Sequence, residues 1–244
     1  MKSLKVISAL LSYPEAELFE ARQALIDEVR SDTRLPEAQR DLLIEFIEQL
    51  CSEDLMDAQE NYVSLFDRGR SLSLLLFEHV HGESRDRGQA MVDLMAIYEE
   101  QGFAIGVREL PDYIPLYLEY LSLRPNSEAQ QWLVDVSHIL VLLETRLYQR
   151  ECNYAVLFEA LLSLTGLPVE RDELRKKVAS EVRDDTPEAM DEVWEEEMVR
   201  FTENSAQDCG DNAVSQRRRE LDQVQPLNIQ PASPSAPSES AGSF

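Results

Sequence analysis

Apolar residues recur three or four positions apart along most of the chain, from its first residues to about position 201. This spacing places them on one face of an α-helix, and no stretch alternates apolar and polar residues as a half-buried strand does. The pattern predicts about ten helices. One is predicted over Leu72–Val80, which is apolar on most sides and therefore expected to be central. Another is a long helix from Ser127, its predicted N-cap, through Leu147.

The composition changes after position 202. Residues 225–244 contain four prolines, five serines, one acid and no base. Such a segment buries too little apolar surface to offset the entropy lost on ordering. We therefore expect an all-α fold, a single-domain helical bundle over residues 1–202 whose last helix begins at Pro187. A weakly ordered segment is expected over 203–224, and a disordered tail over 225–244.

The chain is strongly acidic, with 47 acidic residues, 23 basic residues and a net charge of −24. This balance argues against nucleic acid as a partner, because phosphate binding depends on lysine and arginine. An acidic surface suits a basic peptide, and it also serves solubility alone. The charge leaves both explanations open.

Cysteine spacing and hydropathy predict where the protein acts. Cys51, Cys152 and Cys209 are far apart and form no C-x-x-C motif, which is typical of a reducing cytoplasm. The N-terminal segment lacks a small-residue cleavage site and is predicted to be an amphipathic helix. No segment approaches the roughly 20 apolar residues of a membrane span, so no membrane insertion is expected.

The most unusual stretch is Phe66–Met91, which holds two of the three histidines and three of the eight glycines. On a helix, His79 and His81 point about 200° apart, so they share a metal only if the chain leaves the helix near Gly82. We expect them instead to form hydrogen bonds that order the turn there. A metal-binding protein or an enzyme using His79, His81 and Glu83 is the alternative. No nucleophile is paired with a base, so no catalytic residue is expected.

Charged residues in this stretch indicate ion pairs and a turn. Glu83 and Arg87 have the i, i+4 spacing of a helix-surface ion pair. The run Asp67-Arg68-Gly69 stands between two apolar helices and indicates a shaped turn.

Gly88 lies inside a helical pattern. A glycine there costs about 1 kcal/mol relative to alanine. We therefore expect that another helix approaches closely at this position.

A second unusual region runs from Leu110 to Tyr120, where two prolines bracket a turn predicted to be exposed. Tyr113, Tyr117 and Tyr120 follow at helical spacing. They form either the solvent-facing edge of an apolar helix face that packs into the core, or the wall of a groove for an apolar, basic peptide. Asp112 stands at a predicted helix start, where it either caps that helix or pairs with an incoming arginine.

Several of these segments resemble the NarJ/NarW family of chaperones, which mature the molybdenum-containing catalytic subunit of respiratory nitrate reductase. The resemblance spans roughly residues 1–220, and the wider group includes the all-helical chaperones TorD and DmsD. Its anchors are Phe66-Asp67-Arg68-Gly69-Arg70, residues 75–94, Glu109-Leu110-Pro111-Asp112-Tyr113, residues 116–121, Arg183-Asp184-Asp185-Thr186 and residues 193–197.

The resemblance implies a function and partners. Such a chaperone binds the N-terminal tail of the apo catalytic subunit in the cytoplasm. It keeps the subunit competent for molybdenum cofactor and iron–sulfur insertion before membrane docking. The resemblance also implies contact with proteins of molybdenum cofactor biosynthesis, while the chaperone itself holds no cofactor or metal.

The two unusual regions supply the predicted peptide-binding residues. TorD and DmsD use a Pro-Asp-His-type motif for leader binding. Pro111 and Asp112 match it, but Tyr113 replaces the histidine, which puts any role of an imidazole there in doubt. The predicted set is Asp67, Arg68, Phe77, Glu78, His79, His81, Glu83, Arg87, Met91, Pro111, Asp112, Tyr113, Tyr117 and Tyr120.

Overall fold

The computed structural model describes residues 1–81, 85–106, 109–168, 172–181, 183–186, 188, 189 and 191. These residues form twelve helices, and their only β pairing is an isolated bridge. The predicted all-α class is therefore confirmed. The helices are α1 Lys2–Leu11, α2 Ala16–Glu20, α3 Arg22–Ser31, α4 Glu37–Leu50, α5 Leu55–Phe66, α6 Leu76–His81, α7 Arg85–Glu100, α8 Ile114–Ser122, α9 Asn126–Asp135, α10 Ser137–Gln149, α11 Ala155–Thr165 and α12 Asp172–Val178.

Local sequence sets several helix ends. The Asp54 carboxylate caps α5 by accepting a hydrogen bond from the Met56 N–H at 2.9 Å. Gly166 ends α11 with a φ of +71°, and Gly102 follows α7 with a φ of +75°. Glycine adopts this left-handed conformation without the steric cost that a Cβ imposes.

The core lies around α1, α8 and α11. Helix α1 packs mainly against α8 and α3, and α11 packs against α10, α4 and α9. Rings from α4, α5 and the turn before α11 pack together, with the Phe46 and Tyr154 centroids 5.0 Å apart and the Phe66 and Tyr154 centroids 5.2 Å apart. Helix α7 has its most extensive helix contact with α6. It therefore joins the bundle through a smaller contact area than α1 or α11 does.

The predicted helix over Leu72–Val80 is wrong in its first half, since α6 begins at Leu76. The preceding residues pair instead with the turn before α8. The Leu74 carbonyl accepts from the Ile114 N–H at 2.8 Å, and the Leu76 N–H donates to the Asp112 carbonyl at 3.0 Å. Leu72, in a turn, and Leu74, in the loop before α6, are both buried, whereas Val80 is exposed.

The single long helix predicted from Ser127 is also wrong. The chain forms α9 and α10, with a break at Val136, and Ser127 lies inside α9 and does not cap it. The Tyr117 hydroxyl donates to the Trp132 carbonyl at 2.9 Å, next to the break. The helical bond to that carbonyl, from the Val136 N–H, is correspondingly long at 3.4 Å.

Most predictions for the C-terminal part concern residues that the structure does not describe. The helix predicted from Pro187 to position 201 lies outside the described residues, apart from 188, 189 and 191. The segment 203–224 and the tail 225–244 lie outside them entirely. In the part of the chain that the structure describes, no helix is both long and apolar enough to span a bilayer.

Candidate functional site

The fold brings the two unusual regions of the sequence together. Leu75 and Tyr113 form an antiparallel bridge, so the loop before α6 runs alongside the turn before α8. The Tyr113 hydroxyl lies 3.1 Å from that of Tyr62, whose own hydroxyl donates to the Leu11 carbonyl. These bonds tie the turn to α5 and α1.

Asp112 is fully buried and organises the start of α6. One carboxylate oxygen accepts from the Phe77 N–H at 3.0 Å, and the other has no hydrogen-bond partner in the described structure. Burial raises the pKa of this carboxyl, although the Phe77 N–H and the charge of Arg87 act in the opposite direction. The predicted cap of Asp112 on its own helix is therefore wrong, and no surface is open for direct pairing with an incoming arginine.

An ion pair joins α6 to α7. The Arg87 guanidinium lies 3.1 Å from the Glu78 carboxylate, and both side chains are half-buried. The Nε of Arg87 is buried without a hydrogen-bond partner in the described structure. The i, i+4 pair predicted between Glu83 and Arg87 cannot be placed, because Glu83 lies outside the described residues.

His79 has a structural contact that the sequence did not predict. Its Nε2 lies 2.8 Å from the Ser73 carbonyl, so the ring stabilises the loop before α6. Burial lowers the pKa of His79 despite that hydrogen bond, which favours a neutral ring with Nε2 as donor. The predicted turn at Gly82, Glu83 and the side chain of His81 lie outside the described residues. Within the described residues, no group of three or more His, Cys, Asp or Glu side chains is arranged to hold a metal.

The tyrosines of α8 belong to the core. Tyr117 and Tyr120 are buried, and the Tyr120 ring packs 4.5 Å from that of Tyr98. Pro111 is buried too, and its carbonyl accepts from the Tyr98 hydroxyl at 2.9 Å. The expectation of an exposed turn at Pro111 and Asp112 is wrong, and so is that of a tyrosine-lined groove wall at Tyr117 and Tyr120.

The remaining predicted residues divide by exposure. Asp67 and Arg68 are exposed at the end of α5, where Asp67 is the C-cap residue. Phe77, Met91 and Tyr113 are half-buried. They lie at the boundary between the core and the surface.

An exposed apolar face on α7, consisting of Gly88, Val92 and Met95, was missed by the sequence analysis. Val92 is 55% exposed and Met95 is 41% exposed. Gly88 is exposed as well, and a Cβ built there meets no atom of the described residues within 4 Å. The predicted close helix approach at Gly88 is therefore wrong for the part of the chain that the structure describes. The signal for this face was Val92, which lies off the buried stripe that contains Leu94.

Acidic side chains accompany the exposed apolar residues on α7. Helix α7 carries exposed acids at both ends and in its middle, namely Asp86, Asp93, Glu99 and Glu100. The face therefore combines apolar contact area with negative charge. Two further exposed apolar residues are Val80, in the last turn of α6, and Leu110, which precedes α8.

Comparisons with known proteins identify the family. A model of the family "Nitrate reductase delta subunit" matches residues 32–160. The chain is 50% identical over 219 residues to the nitrate reductase molybdenum cofactor assembly chaperone NarJ of Escherichia coli (strain K12), covering 90% of this chain and 92% of that protein. It is 48% identical over 223 residues to the probable chaperone of the same description, NarW, from the same strain, covering 91% and 94%. The chain belongs to the nitrate reductase delta subunit family, and its predicted resemblance to NarJ and NarW is confirmed.

More distant relatives also match. The chain is 32% identical over 165 residues to a probable nitrate reductase molybdenum cofactor assembly chaperone NarJ of Bacillus subtilis (strain 168), covering 66% of this chain and 86% of that protein. Among solved structures, it is similar to a putative redox enzyme maturation protein from Archaeoglobus fulgidus. That match has a TM-score of 0.48 and 21% identity, and covers 68% of this chain and 94% of the other.

Proposed function

We propose that this protein is a non-catalytic, system-specific chaperone for the assembly of respiratory nitrate reductase. The observation that supports it most is the 50% identity to the NarJ chaperone over nearly the whole length of both proteins. The protein acts in the cytoplasm on the apo catalytic subunit. It keeps that subunit competent for insertion of the molybdenum cofactor and an iron–sulfur cluster, in contact with proteins of cofactor biosynthesis, before the enzyme docks on the membrane.

The ligand in this proposal is the N-terminal tail of the catalytic subunit, bound as a basic amphipathic helix. Such a helix buries its apolar side against an apolar face while acids at the rim attract its bases. The net charge of −24 and the exposed acids of α7 provide the complementary charge.

The docking surface in this proposal is the α7 face with the neighbouring half-buried residues. Val92 and Met95 supply exposed apolar area, and Met91 extends it toward the core. Phe77 and Tyr113 border the same part of the molecule through the contact of α6 with the turn before α8. Asp112, Glu78, Arg87 and His79 position α6 through the contacts described above.

A binding measurement tests this surface. Val92→Ser and Met95→Ser, combined, are expected to weaken binding of the N-terminal peptide of a nitrate reductase catalytic subunit by about tenfold or more. Burial of one such apolar side chain contributes about 1.5–3 kcal/mol, and 1.4 kcal/mol corresponds to tenfold in affinity. Isothermal titration calorimetry measures the change.

Met56→Ser is the matched control, because Met56 is 76% exposed on α5 and is not part of the proposed surface. We expect it to bind the peptide as the wild type does. Equal affinity in the folded double variant would exclude the α7 face. Absence of binding by the wild-type protein itself would contradict the proposed function.

A further inference from the structure

Arg150, the residue that follows α10, forms ion pairs with two carboxylates. Its side chain is only 10% exposed. One guanidinium nitrogen lies 3.3 Å from the Asp184 carboxylate, and another lies 3.0 Å from that of Asp185. Arg183 also donates to Asp185, at 2.7 Å. These ion pairs therefore hold residues 183–186 against the end of α10.

The loop after α5 forms the other side of this contact. Both the backbone N–H and the hydroxyl of Ser71 donate to the Asp184 carboxylate. The Arg150 guanidinium in turn donates to the Ser71 hydroxyl oxygen at 2.7 Å. Each oxygen of Asp184 thus has a donor from Ser71, and a positive charge lies beside it.

Gly69 supplies space for the same carboxylate. A Cβ built on Gly69 stands 2.8 Å from the Asp184 carboxyl carbon, a separation that real Cβ atoms do not show. Gly69 is not among the glycines with positive φ. Its lack of a side chain therefore matters for the approach of Asp184 and not for a left-handed turn.

A second arginine ties the same parts together. The Arg146 guanidinium donates to the Ser71 carbonyl at 2.7 Å and to the Glu181 carboxylate at 2.8 Å. Burial alone raises the pKa of Asp184, but the Ser71 hydrogen bonds and the Arg150 charge outweigh it and hold that pKa below its ordinary value. Asp184 is therefore an ionised ligand at neutral pH.

We propose that Gly69, Ser71, Arg146 and Arg150 form a carboxylate-binding site whose ligand is Asp184 of the same chain, and that its occupancy positions α6 for peptide binding. The second part of this statement rests on the proposed function. The carboxylate-binding site lies close to α6 along the chain. Ser73 and Leu74, which follow Ser71 closely, are hydrogen-bonded to His79 and Ile114. Ser71 and Asp184 are positioning residues in this account.

Hydrogen–deuterium exchange of the full-length protein tests the site. Asp184→Ala is expected to speed exchange of the loop amides at residues 70–74 by about tenfold, because local opening then costs less. Gly69→Ala is expected to have the same effect, since its methyl group excludes the carboxylate. The matched control is Gly106→Ala, because a Cβ at Gly106 meets none of the described atoms within 4 Å and should leave loop exchange unchanged.

A double-mutant cycle separates this contact from general destabilisation. Once Asp184 is alanine, the Gly69→Ala methyl has no carboxylate to displace. The second substitution is therefore expected to add nothing to loop exchange. Additive effects, or unchanged exchange in Asp184→Ala, would overturn the carboxylate site. If Gly69→Ala does not fold, loop exchange in Asp184→Ala alone tests the carboxylate-binding site.

Peptide kinetics test the second part. Surface plasmon resonance with the catalytic-subunit N-terminal peptide should show about fivefold weaker affinity for Asp184→Ala, mainly through faster dissociation. Faster loop exchange with unchanged peptide kinetics would overturn the positioning role and leave the site intact. Failure of the wild type to bind would instead overturn the proposed function, and the exchange data would still test the site.

Discussion

Helices α7 and α8 both carry apolar residues at helical spacing, but the protein buries one set and exposes part of the other. Pro115, Tyr117 and Tyr120 of α8 are enclosed between α1, α9 and the rings near Tyr98. On α7, Leu94 and Tyr98 are buried, whereas Val92 and Met95 remain exposed. The difference shows that helical periodicity identifies an apolar face without identifying what covers it. On these two helices, Tyr98, Tyr117 and Tyr120 are buried, whereas Val92 and Met95 are exposed.

The largest expected effect concerns α8. Tyr120→Ala should lower the free energy of unfolding by about 3–5 kcal/mol, as loss of a buried aromatic side chain generally does. Denaturant titration followed by circular dichroism measures this loss. A change below 1 kcal/mol would show that the ring is not a core residue, and the contrast between the two helices would fail.

The sequence predicted the fold class and most helix positions, because Gly166, Pro115 and the apolar stripes act locally. It failed at Leu72–Leu75, where pairing with the turn before α8 overrides a local helical pattern. The same pairing buries Asp112, so its role was assigned to the wrong helix. The contact of Asp184 with Gly69 could not be predicted from local sequence, since it joins residues more than a hundred positions apart.

Asp112 offers a pH-dependent test of the link between the two regions. Because burial raises its pKa in the folded state, its protonated form favours folding. This contribution is complete below the unfolded pKa of about 3.9 and is lost as pH rises through the folded pKa. The stability of the wild type relative to Asp112→Asn should therefore fall as pH rises from 3.5 to 7. A difference that rises or stays constant would contradict the burial of the Asp112 carboxyl group.

Gly88 has the smallest expected effect on stability and opposite effects on folding and binding. Gly88→Ala should stabilise α7 by about 0.5–1 kcal/mol, since alanine favours the helix and its methyl meets no atom of the described structure within 4 Å. The same methyl should weaken peptide affinity if a partner helix packs closely there. Thermal unfolding and calorimetric titration measure the two effects. Greater stability with unchanged affinity would remove Gly88 from the docking surface.

The most direct test of the docking surface is methyl NMR of the full-length protein with ¹³C-labelled methionine. Met91 and Met95 lie on α7, and Met56 lies exposed on α5, so the two helices report independently. Titration with the N-terminal peptide of a nitrate reductase catalytic subunit should shift the Met95 methyl signal most and Met91 next, and leave Met56 unchanged. A shift of Met56 with Met91 and Met95 unchanged would contradict the account.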